Sequence, residues 1–107
     1  MQINKVFIAG SGLMGSGIAQ VCAQTGLQVV LHDTTREILM KGMEGISWSV
    51  GKFVEKGKLK ESRETILGRI STTVDIKKAE EADLAIEVIF EDRALKQQVF
   101  KKLDDIC

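Results

Sequence analysis

Apolar and polar positions come in short blocks along this chain, and the blocks switch between strand and helix periods. Lys5-Val6-Phe7-Ile8-Ala9 has the length and composition of a buried strand. Residues 14–25 carry Ile18, Ala19, Val21 and Cys22 and predict a helix packed on a sheet, with Gly26 in the helix-stop position. Residues 27–32 predict a second strand centred on Val29-Val30-Leu31. Over residues 35–56, Leu39, Met43, Ile46, Val50, Phe53 and Val54 fall on one stripe at helical period, so a long helix is expected. Gly42, Gly45 and Gly51 lie inside it, each costing about 1 kcal/mol relative to alanine, which leaves room for a bend or break. After a turn at Gly57-Lys58, the pattern predicts a shorter returning helix over 61–70 and a brief third strand over 71–74. A short helix over 76–81, a fourth strand over 84–89 and an amphipathic helix over 93–106 complete the chain. Strands alternating with helices imply an α/β fold with a parallel sheet. Right-handed crossovers give the strand order 3-2-1-4, with a helical hairpin inserted between the second and third strands.

The 107 residues suit one α/β domain. Fifteen basic and fifteen acidic residues cancel and are interleaved, which argues against nucleic acid and anionic membrane surfaces as partners. No apolar run approaches the roughly 20 residues of a membrane span. Neither Cys22 nor Cys107 has a metal-like spacing, so reduced thiols in a cytoplasmic protein are expected and no metal is called for.

The chemistry begins where the first strand ends. Gly10-Ser11-Gly12-Leu13-Met14-Gly15 opens the first helix directly, and seventeen residues separate Gly15 from Asp33 at the end of the second strand. This is the layout of a dinucleotide-binding βαβ unit of the Rossmann type. Gly10 permits the tight turn, Gly12 lets a pyrophosphate approach the backbone, and Gly15 lets helix and strand pack closely. The phosphates would sit at the positive end of that helix. Asp33 would accept hydrogen bonds from the adenosine ribose, which favours NAD over NADP, although Arg36 stands three residues on and offers a phosphate a positive charge.

The segment from Gly10 to Gln20 resembles the 3-hydroxyacyl-CoA dehydrogenases, especially the bacterial 3-hydroxybutyryl-CoA enzymes. So do Phe53-Val54-Glu55-Lys56-Gly57-Lys58-Leu59, Ile70-Ser71-Thr72-Thr73-Val74-Asp75, and Ala82-Asp83-Leu84-Ala85-Ile86-Glu87 followed by Glu91. The resemblance implies NAD-dependent interconversion of a (3S)-3-hydroxyacyl-CoA and its 3-ketoacyl-CoA, in fatty acid or butanoate metabolism. It implies cofactor contacts at Gly10, Ser11, Gly12, Leu13, Met14, Gly15 and Asp33, with further ones at Glu91 and Lys96. It places contacts to the coenzyme A of an acyl-CoA substrate at Ser49 and Lys56, which lie seven residues apart and so nearly on one helix face. It also implies a homodimer of the intact protein.

Family members continue into an Asn-Thr-Ser-Ser segment, a catalytic histidine with a glutamate partner, and a helical substrate and dimerisation domain. None of these occurs in residues 1–107, whose one histidine, His32, adjoins Asp33 and is read as non-catalytic. The expectation is a truncated NAD-binding domain that does not turn over alone. The alternatives are a stand-alone, non-catalytic NAD-binding module and a different two-domain NAD-dependent hydroxy-acid dehydrogenase. Glu87, amid apolar neighbours, is expected to be a buried, partnered carboxylate rather than a catalytic acid. Met14, Met40 and Met43 are expected to be packing residues. Trp48 faces away from the apolar stripe and is expected on the surface, where a second subunit, a further domain or an acyl-CoA would cover it.

Overall fold

The computed structural model describes residues 2–88. Its strands β1 (Lys5–Ala9), β2 (Gln28–His32), β3 (Ile70–Thr73) and β4 (Leu84–Glu87) form one parallel sheet in the order β3-β2-β1-β4. The helices are α1 (Leu13–Gln24), α2 (Arg36–Glu55) and α3 (Arg63–Leu67), with a 3-10 turn over Ile76–Glu81. The expected strand order and hairpin insertion are both present. Glu91, Lys96, Cys107, the expected helix over 93–106 and the last residue of the expected fourth strand lie outside the described residues.

Strand register explains the core. Val6 and Ile8 stand beside Val29 and Leu31 on one side and Leu84 and Ile86 on the other, so one sheet face is aliphatic across β2, β1 and β4. Ile18, Ala19 and Cys22 of α1, Leu39, Ile46 and Val50 of α2, and Ile66 of α3 close over that face in a single cluster. The opposite parity carries Phe7 and Val30, both buried. Apolar residues on both faces of consecutive central strands are what a parallel sheet requires.

The long helix does not break at its glycines. Thr35 caps α2 by accepting from the Ile38 N–H, and the helix runs unbroken to Glu55. A Cβ on Gly42 would stand 2.9 Å from Ser16 Oγ, and one on Gly51 would stand 3.2 Å from the Arg63 guanidinium. Two of the three glycines thus lie where α2 presses on its neighbours.

The apolar stripe is narrower than the sequence pattern suggested. Leu39, Ile46 and Val50 are buried, Met43 and Val54 half-buried, and Phe53 exposed on its flank. Met40 is also exposed, and on α1 Val21 turns outward beside the buried Ile18 and Cys22. Glu87 is exposed rather than buried, because β4 pairs only with β1 within the described sheet. The returning helix is shorter than expected: Ser62 caps its start, Gly68 caps its end, and the Arg69 carbonyl already accepts from Val29 N–H at 2.8 Å. Ile70 therefore opens β3 instead of ending a helix.

Long-range side-chain bonds fasten the edges. Asp83 Oδ2 accepts from the N–H groups of Asn4 and Lys5, both at 2.9 Å, joining the start of β4 to the start of β1. Arg69 donates to the Ala23 carbonyl at 2.8 Å and pairs with Glu61 through both terminal guanidinium nitrogens, anchoring the far end of α1.

Candidate functional site

The turn between β1 and α1 sits at the carboxyl ends of the strands, at the point where the sheet order reverses. Open α/β sheets bind ligands in that crevice. Gly10 has φ of +114°, and a Cβ there would lie 2.1 Å from the Val88 carbonyl oxygen. Only glycine fits both the conformation and the space. A Cβ on Gly15 would lie 1.6 Å from the Gly10 carbonyl oxygen, so the first turn of α1 packs directly on the preceding turn. Gly12 is different. Nothing lies within 4 Å of where its Cβ would be, and it faces open space.

Gly12 is the N-cap of α1 and offers no side chain to the N–H groups of the first turn, which also holds no acidic residue. The positive end of the helix therefore faces the open side of the turn, ready for an anion. Leu13 projects into solvent at 84 % exposure, whereas Met14 and Ser11 are buried.

Three bonds fix the turn from behind. Gly10 N–H donates to the His32 carbonyl at 2.7 Å, Ser16 Oγ donates to the Ser11 carbonyl at 2.7 Å, and Ser11 N–H donates to Asp33 Oδ2 at 2.9 Å. The Ser11 hydroxyl also reaches Asp33 Oδ2, while Asp33 Oδ1 accepts from Thr34 N–H at 2.7 Å and its hydroxyl at 3.3 Å. Partial burial pushes the Asp33 carboxyl up, but the bonds from the Ser11 and Thr34 backbone and side chains outweigh this and hold it below the usual aspartate value. Asp33 is thus a fixed carboxylate at the edge of an anion-ready turn. A polar sugar diol suits that acceptor, and an additional phosphate does not. The donors and acceptors present fit a dinucleotide. His32 is half-buried with its ring 5.6 Å from the Phe7 ring, packed rather than poised.

The family model for the NAD-binding domain of 3-hydroxyacyl-CoA dehydrogenase matches residues 5–107. The chain belongs to that family. It is 46 % identical over 102 residues to a probable 3-hydroxybutyryl-CoA dehydrogenase of Deinococcus radiodurans, covering 95 % of this chain and 37 % of the relative. A probable 3-hydroxybutyryl-CoA dehydrogenase of Bacillus subtilis is 39 % identical over 108 residues, covering all of this chain and 38 % of its own length. The solved (S)-3-hydroxybutyryl-CoA dehydrogenase of Ralstonia eutropha superposes with a TM-score of 0.79 at 35 % identity, covering 98 % of this chain and 38 % of that one. The chain therefore spans a little over a third of the length of these relatives. NAD is the cofactor of this domain type.

In this NAD-binding domain a groove of about 550 Å³ leads from the glycine turn along the seam between α1 and α2. Ser11, Gly12 and Leu13 line it together with Gln20, Lys41, Trp48 and Ser49. Gln20 Nε2 donates to Ser49 Oγ at 2.9 Å, so Ser49 is held in the groove wall. Lys56 is exposed at the C-cap of α2 and does not line the groove, so the two positions do not converge on it. Trp48 is 68 % exposed, as its place on the helix predicted. Arg36 lies on a separate shallow groove with Leu39, Met40 and Thr72.

Sequence reasoning missed Ser16 and Gly42. Ser16 Oγ bonds to the Ser11 carbonyl, and Gly42 lets α2 approach that same carbonyl to where a Cβ would stand 3.0 Å away. The available signal was a glycine at an unfavourable helical position, read only as a cost. Among the described residues no group of three or more His, Cys, Asp or Glu side chains gathers as a metal site, and no helix is long and apolar enough to cross a membrane.

Proposed function

We propose that the protein is an NAD-dependent oxidoreductase that interconverts (3S)-3-hydroxyacyl-CoA thioesters, 3-hydroxybutyryl-CoA among them, and 3-ketoacyl-CoA thioesters in fatty acid or butanoate metabolism. Residues 1–107 supply its cofactor half. The observation that carries this reading is the uncapped glycine turn tied to the Asp33 carboxylate, in a chain of this family. Gly10, Ser11, Gly12, Leu13, Met14 and Gly15 cradle the pyrophosphate, Asp33 takes the adenosine ribose hydroxyls, and Glu91 and Lys96 add contacts beyond β4. When bound, NAD supplies the hydride acceptor. Ser49 and Lys56 of α2 hold the coenzyme A portion of the substrate.

Hydride removal from a hydroxyl-bearing carbon needs a base for the hydroxyl proton. The one histidine here packs on Phe7 beside the ribose-binding carboxylate, so the base comes from outside residues 1–107 and these residues alone are inactive. The intact protein acts as a homodimer, and two cysteines without a disulfide or metal spacing support a cytoplasmic location.

The test is acetoacetyl-CoA-dependent oxidation of NADH by the full-length protein. Turnover that survives His32→Gln is expected. No turnover refutes the assigned reaction, and turnover abolished by His32→Gln refutes the placement of the base.

A further inference from the structure

We propose that Trp48, flanked by Lys41 and Lys52, is a stacking platform for the adenine nucleotide end of the acyl-CoA thioester. This rests on the substrate class proposed above and adds to it a recognition element. Trp48 is a large ring on a charged helix, 68 % exposed, and lines the groove that the glycine turn also lines. Lys52 Nζ lies 5.7 Å from the ring centroid, within cation–π range. Lys41 lines the same groove, and positions 41, 48 and 52 share one side of the helix. Lys52 also meets Glu55 at 3.7 Å, but that pair is exposed and weak enough to yield to a phosphate.

The chemistry of the platform selects its occupant. A π face invites a flat aromatic ring, and the Lys52 cation over it and Lys41 two turns back along the helix invite phosphates. An acyl chain would leave both lysines unmatched, whereas a nucleotide satisfies ring and charges together. Ser49, whose Oγ accepts from Gln20 Nε2, lines the same groove. The adenosine of NAD is a poor candidate for the same ring. Trp48 is twelve residues into α2 from Arg36, about 18 Å along the helix axis, while Asp33 precedes that helix.

Steady-state kinetics of the full-length enzyme decide the matter. Trp48→Ala is expected to raise KM for acetoacetyl-CoA about tenfold, with kcat little changed and Trp48→Phe restoring most of the loss. The same variant should leave KM for the S-acetoacetyl pantetheine thioester, which lacks the nucleotide, where it was. An equal rise for the pantetheine thioester, a rise in KM for NADH, or a change in oligomeric mass would each overturn the proposal. If the wild-type enzyme does not turn over acetoacetyl-CoA, the reaction assignment fails separately. 3′,5′-ADP then serves as the probe, read as the difference in tryptophan fluorescence between the full-length protein and its Trp48→Phe variant. Saturable quenching that Trp48→Phe removes sustains the platform, and quenching that is absent or unchanged in the variant overturns it.

Discussion

Asp33 Oδ2 accepts both the backbone N–H and the hydroxyl of Ser11, at 2.9 and 3.1 Å, so the end of β2 is bonded to the turn that opens α1. The carboxylate thus has two backbone bonds that hold it still and two longer hydroxyl bonds that a ribose diol can replace. Asp33→Ala should weaken NADH binding about tenfold and narrow the preference over NADPH, because one part-buried charge-assisted acceptor is lost and the like-charge barrier with it. Side-by-side fluorescence titration of the two nucleotides checks this. An unchanged NADH affinity would remove Asp33 from the site.

The two neighbouring glycines of α2 should respond in opposite ways to alanine. At Gly45 nothing lies within 4 Å of the new methyl, so helix propensity alone acts and stability should rise by about 0.5–1 kcal/mol. At Gly42 the methyl meets Ser16 Oγ and the Ser11 carbonyl, and α2 is pushed off the glycine turn. Gly42→Ala should cost about 1–3 kcal/mol net and weaken NADH binding. Urea unfolding of both variants, with a nucleotide titration of each, separates propensity from packing.

Acid should loosen the fold through three carboxylates. Bonds from the Asn4 and Lys5 N–H groups hold Asp83 below its usual value, and hydrogen bonding from Arg69 does the same for Glu61. Asp33 is lowered as well, its bonds overcoming partial burial. A lowered folded value gives stability that is complete above the unfolded value, near pH 4, and is lost as pH falls through the folded value. Unfolding free energy should therefore be flat from neutral pH down to about 5 and fall below it. Asp83→Asn should flatten that decline; a decline identical to that of the parent chain would exclude Asp83 as a contributor.

Arg69 should matter to the far end of α1. Arg69→Met keeps much of the aliphatic stem but leaves Glu61 without the guanidinium and takes from the Ala23 carbonyl one of its two donors, Gly26 N–H being the other. A loss of about 1–2 kcal/mol is expected by urea unfolding, with NADH affinity unchanged because the site lies at the other end of the helix.

The sheet order, the long helix and the glycine turn were all legible in the sequence, because each rests on local periodicity or on a residue type with one mechanical use. What was not legible depends on which neighbour arrives. Phe53 and Val21 sit at the edges of apolar stripes, and their exposure is decided by how wide a face the partner element covers. Glu87 looked buried from its neighbours in sequence, yet β4 pairs with β1 alone within the described sheet. Ile70 reads equally well as the last turn of a helix or the start of a strand until Gly68 caps α3. Asp33 was legible as an acceptor, but its bonds to Ser11 bridge 22 positions and no pattern announces them. Gly42 is the sharpest case, since its value appears only once α2 lies against Ser11 and Ser16.

The seat of Gly10 against the Val88 carbonyl carries a consequence for how the protein is made. The glycine turn cannot be closed by its neighbours in sequence, because its wall is built from a segment almost eighty residues later. Val88 N–H bonds to the Ala9 carbonyl at 2.8 Å, and Asp83 secures Asn4 and Lys5 at the other end of the same strand. At a synthesis rate of about 5–20 residues per second, the nascent β1 waits several seconds for that wall. The glycine turn is thus translated well before it can be finished, and NAD meets a completed pocket only after β4 has left the exit tunnel.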